Sequence, residues 1–291
     1  MPRAPAGELV TVGLAVTTIG RPEIAELLRS AAASTRPPLA VAVADQSRGR
    51  LALDTRDLPF PVDVVPSSGG VSAGRNDAVR ALQGRVDVVG FPNDDSRLPP
   101  GTLEQVAEAF TRDAGLAALA GAVRDPDGFR AALPERGTAL DARSIWRAVE
   151  PAVFLRAGEW AAVGGFRPDV GTGAASPWQS GDGTDLLLRL LERGGRVVSR
   201  PDVVVEGRGE RRSLTPGELV AKHRGYARGT GFVYRVHPYP RHVRWRTVLG
   251  PWLRPLSHDT DPRLSLRLAV ARSLGRVEGL LARPLGDDRP R

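Results

Sequence analysis

The sequence predicts an α/β fold, a mostly parallel sheet flanked by helices, with a basic helical extension toward the C-terminal end. Two patterns predict it. Short apolar, β-branched runs alternate with segments of 3.6-residue periodicity through most of the chain, and arginines outnumber acids after Arg208. A chain of 291 residues accommodates one large domain and an appendage. We therefore predict a first domain over residues 1–212 and a basic helical region over residues 213–291.

The first part of the predicted sheet alternates strands and helices in chain order. Apolar runs that end at turn residues predict strands over residues 9–16, 39–44, 61–65 and 86–91. Helical periodicity fills the intervals 23–34 and 72–82. This alternation is typical of parallel strands joined by crossover helices.

The second part is less regular. Pro99, Pro100 and Gly101 predict a helix start, with the helix running to residue 110. Further strands are predicted over 116–123, 152–155 and 203–205, with helices over 158–163 and 182–193 and loops over 125–143 and 164–180. After residue 205 the chain reads as helices interrupted by prolines.

Composition excludes several classes of site. The chain has no cysteine, which rules out disulfides, thiolate zinc sites and cysteine nucleophiles. Residues 1–8 lack the apolar core of a signal peptide, and no run approaches the roughly 20 apolar residues of a membrane span, so we predict a cytoplasmic protein. The net charge of +8 suits phosphate-bearing partners, whether nucleic acid, anionic lipid or nucleotide-linked substrates.

Polar residues follow three predicted strands. Thr17, Asp45 and the triplet Asn93, Asp94, Asp95 all stand where a strand ends. Each alone is an ordinary turn or cap, but ligands in open α/β sheets bind outside the carboxyl ends of the strands, so their joint placement favours one site. Carboxylates there could hold Mg²⁺ or Mn²⁺, which prefer oxygen ligands and are commonly shared with substrate phosphates.

Three segments accompany these strand ends: Val-Thr-Thr-Ile-Gly-Arg-Pro at 16–22, Ala-Asp-Gln-Ser at 44–47 and Gly-Val-Ser-Ala-Gly-Arg-Asn at 70–76. Their order and approximate spacing are typical of family 2 glycosyltransferases. The first resembles the family's first nucleotide-binding loop, the second its second loop, and the third the segment before the metal motif. The resemblance implies a GT-A, Rossmann-like fold and an inverting transfer from a nucleotide sugar, in particular a UDP-sugar. It implies nucleotide contacts by the following residues: Thr17, Thr18, Arg21, Asp45, Ser72, Arg75 and Asp94.

The metal motif is altered in this chain. The segment Phe-Pro-Asn-Asp-Asp-Ser-Arg-Leu-Pro-Pro at 91–100 resembles the family motif, in which three or four acids precede a Leu-Pro-Pro helix start, but Asn93 takes the first acidic place. The resemblance implies that Asp95, with Asn93, holds Mg²⁺ or Mn²⁺, and that Asp94 lies near the ribose or the sugar.

The acidic motif before the predicted helix at 182 is also altered. Gly-Gly-Phe at 164–166 and the segment 178–189 resemble the family's acceptor-side loop and its acidic motif, whose second acid usually serves as base, but that position is Gly183 here. We assign the base to Asp182, because glycines on both sides allow it to swing into place; a carboxylate stabilising the helix N-terminus is the alternative. Asp185 would orient the loop or bind the acceptor.

Two further residues have alternative interpretations. Trp178 would stack on an acceptor sugar or anchor the loop in the core. Glu206 stands where many relatives have a metal-binding histidine, but a surface acid beside Arg208 and Arg211 is the simpler interpretation. The histidines, His223, His237, His242 and His258, show no metal-ligand spacing.

Three functions remain open from the sequence. The first is the metal-assisted glycosyltransferase, and the second is a non-catalytic nucleotide-sugar-binding or assembly protein that has lost the base at Gly183. Nucleic-acid binding is disfavoured, because the basic region lacks a recognisable motif with interleaved aromatics. That region could contact a membrane surface, cover the catalytic domain or form homo-oligomers, and the acceptor is not identified.

Overall fold

The computed structural model describes residues 10–209, 214–252 and 261–286. These residues form two compact units. The sheet unit contains residues 10–68, 73–166 and 186–209, and the helical unit contains residues 69–72, 167–185 and the described residues from 214 onward. Several features named in the sequence analysis lie outside the described residues: the predicted domain boundary at 212/213, the start at 1–8, Arg211 and His258.

The sheet unit is built on eight strands. They are β1 (Val12–Thr18), β2 (Ala40–Asp45), β3 (Val62–Pro66), β4 (Val88–Gly90), β5 (Leu116–Asp125), β6 (Gly128–Phe129), β7 (Val153–Arg156) and β8 (Arg196–Glu206). The order is β3-β2-β1-β4-β7-β5-β6, with β8 pairing to β5. The first four strands are parallel to one another, β7 runs antiparallel between β4 and β5, and β8 is parallel to β5.

Helices of this chain carry apolar stripes that cover the sheet. They are α1 (Ile24–Ala32), α2 (Gly70–Leu82), α3 (Thr102–Arg112), α4 (Ala157–Ala162) and α5 (Asp182–Glu192). The buried residues of α1 are Ile24, Leu27, Leu28 and Ala31, at the spacing of one helix face. They join a core that includes Leu14, Phe110 and Phe154. The predicted α/β fold is confirmed.

Two strands differ from their predicted bounds. β8 begins at Arg196 rather than at residue 203, and β6 falls within the predicted loop 125–143. Pro201 makes β8 difficult to predict from the sequence, because proline has no backbone N–H to donate a hydrogen bond to a neighbouring strand. The structure places a register shift there, with Gly121 paired to Arg200 but Ala122 paired to Val204. The irregularity lets the strand continue past the proline.

From residue 214 onward, the described part of the helical unit contains two long helices and a shorter one. They are α6 (Pro216–Val236), α7 (Arg241–Leu249) and α8 (Pro262–Leu281), with a 3₁₀ turn, Gly250–Trp252, after α7. Thr215 and Glu218 form a capping box that starts α6. The predicted basic helical extension is confirmed over its described residues.

Helices α6 and α8 approach each other at glycines. A Cβ atom added at Gly279 would collide with the backbone of Arg228 and Phe232, and one added at Gly275 would collide with the Arg224 carbonyl. Only glycine leaves room for this contact.

A buried carboxylate lies in the same contact. The Glu278 side chain is fully buried and accepts hydrogen bonds from Arg224 Nη2 at 2.6 Å and Arg228 Nε at 2.6 Å. Burial alone would raise its pKa, but the two guanidinium groups and the Leu285 N–H hold the pKa of Glu278 below its usual range. Because the folded-state pKa is lowered, this stabilisation is present above the ordinary glutamate pKa and is lost as pH falls through the folded value.

None of the helices in the described segments is long and apolar enough to cross a bilayer.

Candidate functional site

A polar cluster lies at the carboxyl ends of β1 and β4. Thr18 Oγ1 donates to Asp94 Oδ2 at 2.8 Å, across the boundary between the two strands. Arg21 Nη1 lies 3.4 Å from Asp94 Oδ1 and 3.6 Å from Asp95 Oδ2. The parallel pairing of β1 with β4 brings these residues together although they are far apart in sequence. We call Thr18, Arg21, Asp94 and Asp95 the strand-end cluster.

The two carboxylates of the cluster differ in environment. Asp94 is buried, and this burial raises its pKa, while the hydrogen bond from Thr18 and the charge of Arg21 oppose the shift. Asp95 keeps 29% of its side chain exposed. Contacts with Thr18 and Arg21 thus hold the Asp94 side chain in place, and Asp95 is the carboxylate more accessible to a ligand.

Asp45 ends the neighbouring strand beside this cluster. In the sheet register Thr18 pairs with Asp45, and the Gln46 N–H donates to the Thr18 carbonyl at 2.8 Å. Asp45 Oδ1 accepts from the Ser47 N–H at 2.7 Å, which closes a tight turn. Asp45 therefore lies beside Thr18 at the carboxyl end of the neighbouring strand, and it also shapes its own loop.

Helix α2 packs tightly against the end of β1. Gly74 of α2 adjoins the Thr17 side chain so closely that an added Cβ would collide with it. Arg75, one residue on, is buried with its guanidinium 5.3 Å from the centre of the Phe166 ring. Asn76 donates to the Phe166 carbonyl and accepts from the Phe166 N–H, both at 2.8 Å. The predicted nucleotide-binding segment therefore also holds Phe166.

Ser72 belongs to the helical unit. It is buried and its hydroxyl donates to the Val170 carbonyl at 2.5 Å. The structure thus gives Ser72 a role in anchoring the loop after Phe166, and the nucleotide contact expected of Ser72 stays a prediction.

The acidic motif opens α5 in the helical unit. Asp182 and Asp185 both lie in the first turn of α5 and both are buried. Asp185 Oδ1 is 3.1 Å from His237 Nε2, and the His237 side chain is only 3% exposed. A Cβ added at Gly181 would lie 2.9 Å from Val233, so the residue before Asp182 is packed against α6. The freedom of movement that we expected of Asp182 is not seen, because the helix already begins at Asp182 and the residue is buried. The assignment of Asp182 as the base stays a prediction.

Trp178 is packed inside the same unit. Its ring is stacked on Phe232 of α6, with centroids 4.8 Å apart and planes inclined by 5°. Only 7% of the residue is exposed. This packing favours the loop-anchoring interpretation, and stacking on a sugar stays a prediction.

The family of the chain follows from its sequence profile. Residues 15–163, more than half of the chain, match the profile described as glycosyl transferase family 2. The chain belongs to glycosyl transferase family 2. The matched region contains the end of β1, the strand-end cluster and β7, so the resemblance drawn from the motifs is confirmed. Membership of this family supports glycosyl transfer as the activity of this chain.

Solved structures of S. aureus TarS share the fold of this family 2 member. The crystal structure of TarS residues 1–349 is 14% identical, with a TM-score of 0.54, covering 94% of this chain and 92% of that one. The same fragment in complex with UDP-GlcNAc gives a TM-score of 0.51 at 14% identity, with 94% and 92% coverage. A longer TarS structure is also 14% identical, at a TM-score of 0.51, covering 92% of this chain and 55% of that one. A comparison with curated proteins gives no match.

The residues predicted to bind a metal ion offer few donor atoms. Within residues 10–209, 214–252 and 261–286, no group of three or more His, Cys, Asp or Glu side chains is arranged to hold a metal ion. Asp94 is committed to Thr18 and Arg21, which leaves Asp95 and the Asn93 amide. This set does not fit a cation enclosed by protein ligands. It fits Mg²⁺ or Mn²⁺ bound by one carboxylate and completed by substrate phosphates and water.

Two features near the predicted residues were not found from the sequence. His237 shows no metal-ligand spacing, yet it lies against Asp185, and a single histidine at a helix end gives no signal of such a partner. Glu206 pairs with Arg124 at 2.5 Å rather than with Arg208, which lies 3.5 Å from Glu23. The partner of Glu206 comes from the neighbouring strand β5, which sequence proximity does not reveal.

Proposed function

We propose that this family 2 member transfers a sugar from a nucleoside diphosphate sugar to an acceptor hydroxyl or amine, with inversion and with the assistance of a divalent cation. The strand-end cluster carries the proposal. It gathers two carboxylates, a hydroxyl and a guanidinium between parallel strands β1 and β4, where α/β sheets bind nucleotides. A UDP-sugar is the donor we propose, and the TarS complex with UDP-GlcNAc supports that choice.

In this proposal the donor is bound by residues at the strand ends and on α2. They are Thr17, Thr18, Arg21, Asp45, Ser72, Arg75 and Asp94. Asp45 would accept a hydrogen bond from the base. The Arg21 side chain is half exposed, so its guanidinium can turn toward the diphosphate and stabilise the negative charge that develops as the nucleotide departs.

Asp95 and Asn93 would hold Mg²⁺ or Mn²⁺ together with the donor phosphates. When bound, the cation supplies charge neutralisation of the leaving diphosphate. The chain's own contribution is to keep Asp94 in place through Thr18, so that Asp95 remains directed to the ligand.

Sugar transfer requires a group that accepts the proton of the acceptor hydroxyl, and we place that group in the acidic motif. Asp182 would take the proton of the acceptor hydroxyl as that oxygen attacks the anomeric carbon. Asp185, held against His237, would position the first turn of α5 and so help to orient the acceptor. Trp178 would contribute an apolar wall to the acceptor, in addition to its contact with Phe232.

Thermal unfolding with a panel of nucleotide sugars, with and without Mn²⁺, tests the donor assignment. A ligand at one hundred times its dissociation constant adds about 2.7 kcal/mol to the free energy of unfolding. We expect a UDP-sugar to raise the melting temperature only when Mn²⁺ is present. If no nucleotide sugar changes the melting temperature under either condition, the proposed donor class is wrong.

The alternative is a non-catalytic nucleotide-sugar-binding or assembly protein. Gly183 at the usual base position, and the burial of both Asp182 and Asp185, favour this alternative. Release of nucleotide from the donor that binds, followed over time with metal, separates the two. Binding without nucleotide release supports the non-catalytic protein.

For the whole chain we propose a catalytic domain over residues 1–212 and a basic helical region over residues 213–291. We expect a cytoplasmic protein without a nucleic-acid partner. Size-exclusion chromatography with light scattering would show whether the protein forms homo-oligomers.

A further inference from the structure

The helical unit contains a cavity of about 360 Å³ that no predicted catalytic or donor-binding residue lines. One wall is a single face of α6, where residues three and four apart lie together. The opposite wall is α8, and the 3₁₀ turn after α7 closes one side. The lining residues are His223, Tyr226, Ala227, Thr230, Gly250, Pro251, Arg272 and Arg276.

The charged side chains among the described lining residues of this cavity are two arginines. Arg272 and Arg276 lie one helical turn apart on α8, and Arg272 Nη2 is 3.3 Å from His223 Nε2. Of the described residues that line the cavity, none is acidic. Two guanidinium groups in one half-buried wall favour a ligand with phosphate oxygens, which accept charge-assisted hydrogen bonds.

Exposed apolar side chains adjoin the cavity wall. Leu249 and Trp252, which flank Gly250 and Pro251 in sequence, are 60% and 52% exposed. Trp245, one turn before Leu249 on α7, is 51% exposed. Trp252 is held to α8 through a hydrogen bond from its Nε1 to Ser273 Oγ at 2.9 Å. Tryptophan beside arginine is the composition of a surface that enters the headgroup region of a bilayer.

We propose that this cavity binds the phosphate of an anionic phospholipid at a membrane surface. Arg272, Arg276 and His223 would contact the phosphate, while Leu249 and Trp252 enter the interface beside it. Charge complementarity selects this partner, because basic residues far outnumber acids in α6, α7 and α8. The proposal does not depend on the identity of the donor or on turnover.

Sedimentation of the full chain with lipid vesicles at physiological salt tests the proposal. We expect binding to phosphatidylcholine vesicles that contain phosphatidylglycerol and no binding to phosphatidylcholine alone. Arg272→Gln should weaken binding about 10- to 100-fold, the loss expected for a hydrogen bond to a charged group. The control Arg267→Gln removes the same charge from an exposed site on α8 and should cost no more than about fivefold.

A second pair of variants tests the apolar part. Leu249→Ser should weaken vesicle binding clearly, whereas the control Leu266→Ser, which removes a similarly exposed leucine from α8, should leave vesicle binding unchanged. Circular dichroism checks that each variant is folded, and the Leu249 pair decides the matter if Arg272→Gln does not fold. Equal losses in both members of both pairs would show diffuse attraction and overturn the site.

Soluble phosphate compounds separate a lipid from a small ligand. Glycerol 3-phosphate should compete with vesicles only weakly, because it cannot engage Leu249 and Trp252. If glycerol 3-phosphate stabilises the protein against thermal unfolding and anionic vesicles do not bind, the cavity takes a soluble phosphate ligand and the membrane proposal is overturned.

Discussion

Arg21 supplies a positive charge beside Asp94 and Asp95, and this single residue links the loop after β1 to the metal motif. Its guanidinium lies within 3.6 Å of both carboxylates, so the cluster is partly neutralised within the protein itself. A cation that binds Asp95 would compete with Arg21, and Arg21 would then be available to the diphosphate. In the proposed function, Asp94 is held by Thr18 beside the donor, and the more exposed Asp95 would bind the cation.

Asp95→Asn is expected to abolish metal-dependent turnover and to remove the metal-dependent rise in melting temperature with donor. The reason is that Asp95 is the more accessible carboxylate of the cluster, whereas Asp94 is held by Thr18. Isothermal titration of donor with and without Mn²⁺ measures the effect. Asp57→Asn, an exposed carboxylate outside the cluster, is the matched control. Full activity of Asp95→Asn, or of the native protein in excess chelator, would exclude the metal assignment.

Asp182→Asn is expected to lower turnover by about 10²–10⁴-fold, the usual contribution of a general base, with donor affinity nearly unchanged. Asp185→Asn should act differently because it weakens a buried contact with His237, so we expect a lower melting temperature as its main effect. Turnover, donor affinity and thermal unfolding are measured for both variants. Normal turnover in Asp182→Asn with none in folded Asp185→Asn would reverse the two assignments.

At the scale of elements, the close contact of α6 with α8 holds the helical unit together. Glycines let the backbones approach, and Glu278 lies between Arg224 and Arg228 where no solvent reaches it. A buried carboxylate is costly unless paired, and here two guanidinium groups compensate the burial. The same helices present His223, Arg272 and Arg276 to the cavity, so the packing and the proposed phosphate site depend on one arrangement.

Gly279→Ala is expected to destabilise the protein by about 1–3 kcal/mol or more, as overpacking does. The added methyl would meet backbone atoms of Arg228 and Phe232, which cannot move aside as a flexible side chain would. Gly217→Ala is the control, because an added Cβ meets nothing within 4 Å there, and it should be neutral or slightly stabilising. Urea unfolding monitored by circular dichroism measures both. Equal stability of the two variants would show that the helices separate readily.

At the scale of the whole molecule, the sequence predicted best where one segment determines its own structure. The strand–loop–helix order through α3 follows from periodicity. The rule for strand ends pointed to Thr17, Asp45 and residues 93–95, and the structure bonds Asp94 to Thr18, the neighbour of Thr17. What could not be predicted depends on partners distant in the chain. His237 beside Asp185, Phe232 beside Trp178 and the bulge that carries β8 past Pro201 have no local signal.

The domain boundary predicted from the sequence, near residue 212, differs from the division of the chain into two compact units. Residues 167–185 precede that change but pack within the helical unit, where Trp178 stacks on Phe232 and Asp185 contacts His237. A fragment of residues 1–212 would therefore keep the loop and the start of α5 but lose α6. The strand-end cluster would remain in such a fragment, since all four of its residues belong to the sheet unit.

We expect the fragment 1–212 to bind the donor but to unfold at a lower temperature than the full chain. Loss of α6 exposes the apolar surface of Trp178 and leaves buried Asp185 without His237, and each effect destabilises the first turn of α5. Thermal unfolding, with donor binding measured in parallel, compares the two proteins. In the full chain, the variant Phe232→Ala removes the Trp178 contact alone and should lower the melting temperature in the same direction. A fragment as stable as the full chain would show that residues 167–185 fold without α6, and the boundary at 212 would then mark an independent catalytic domain.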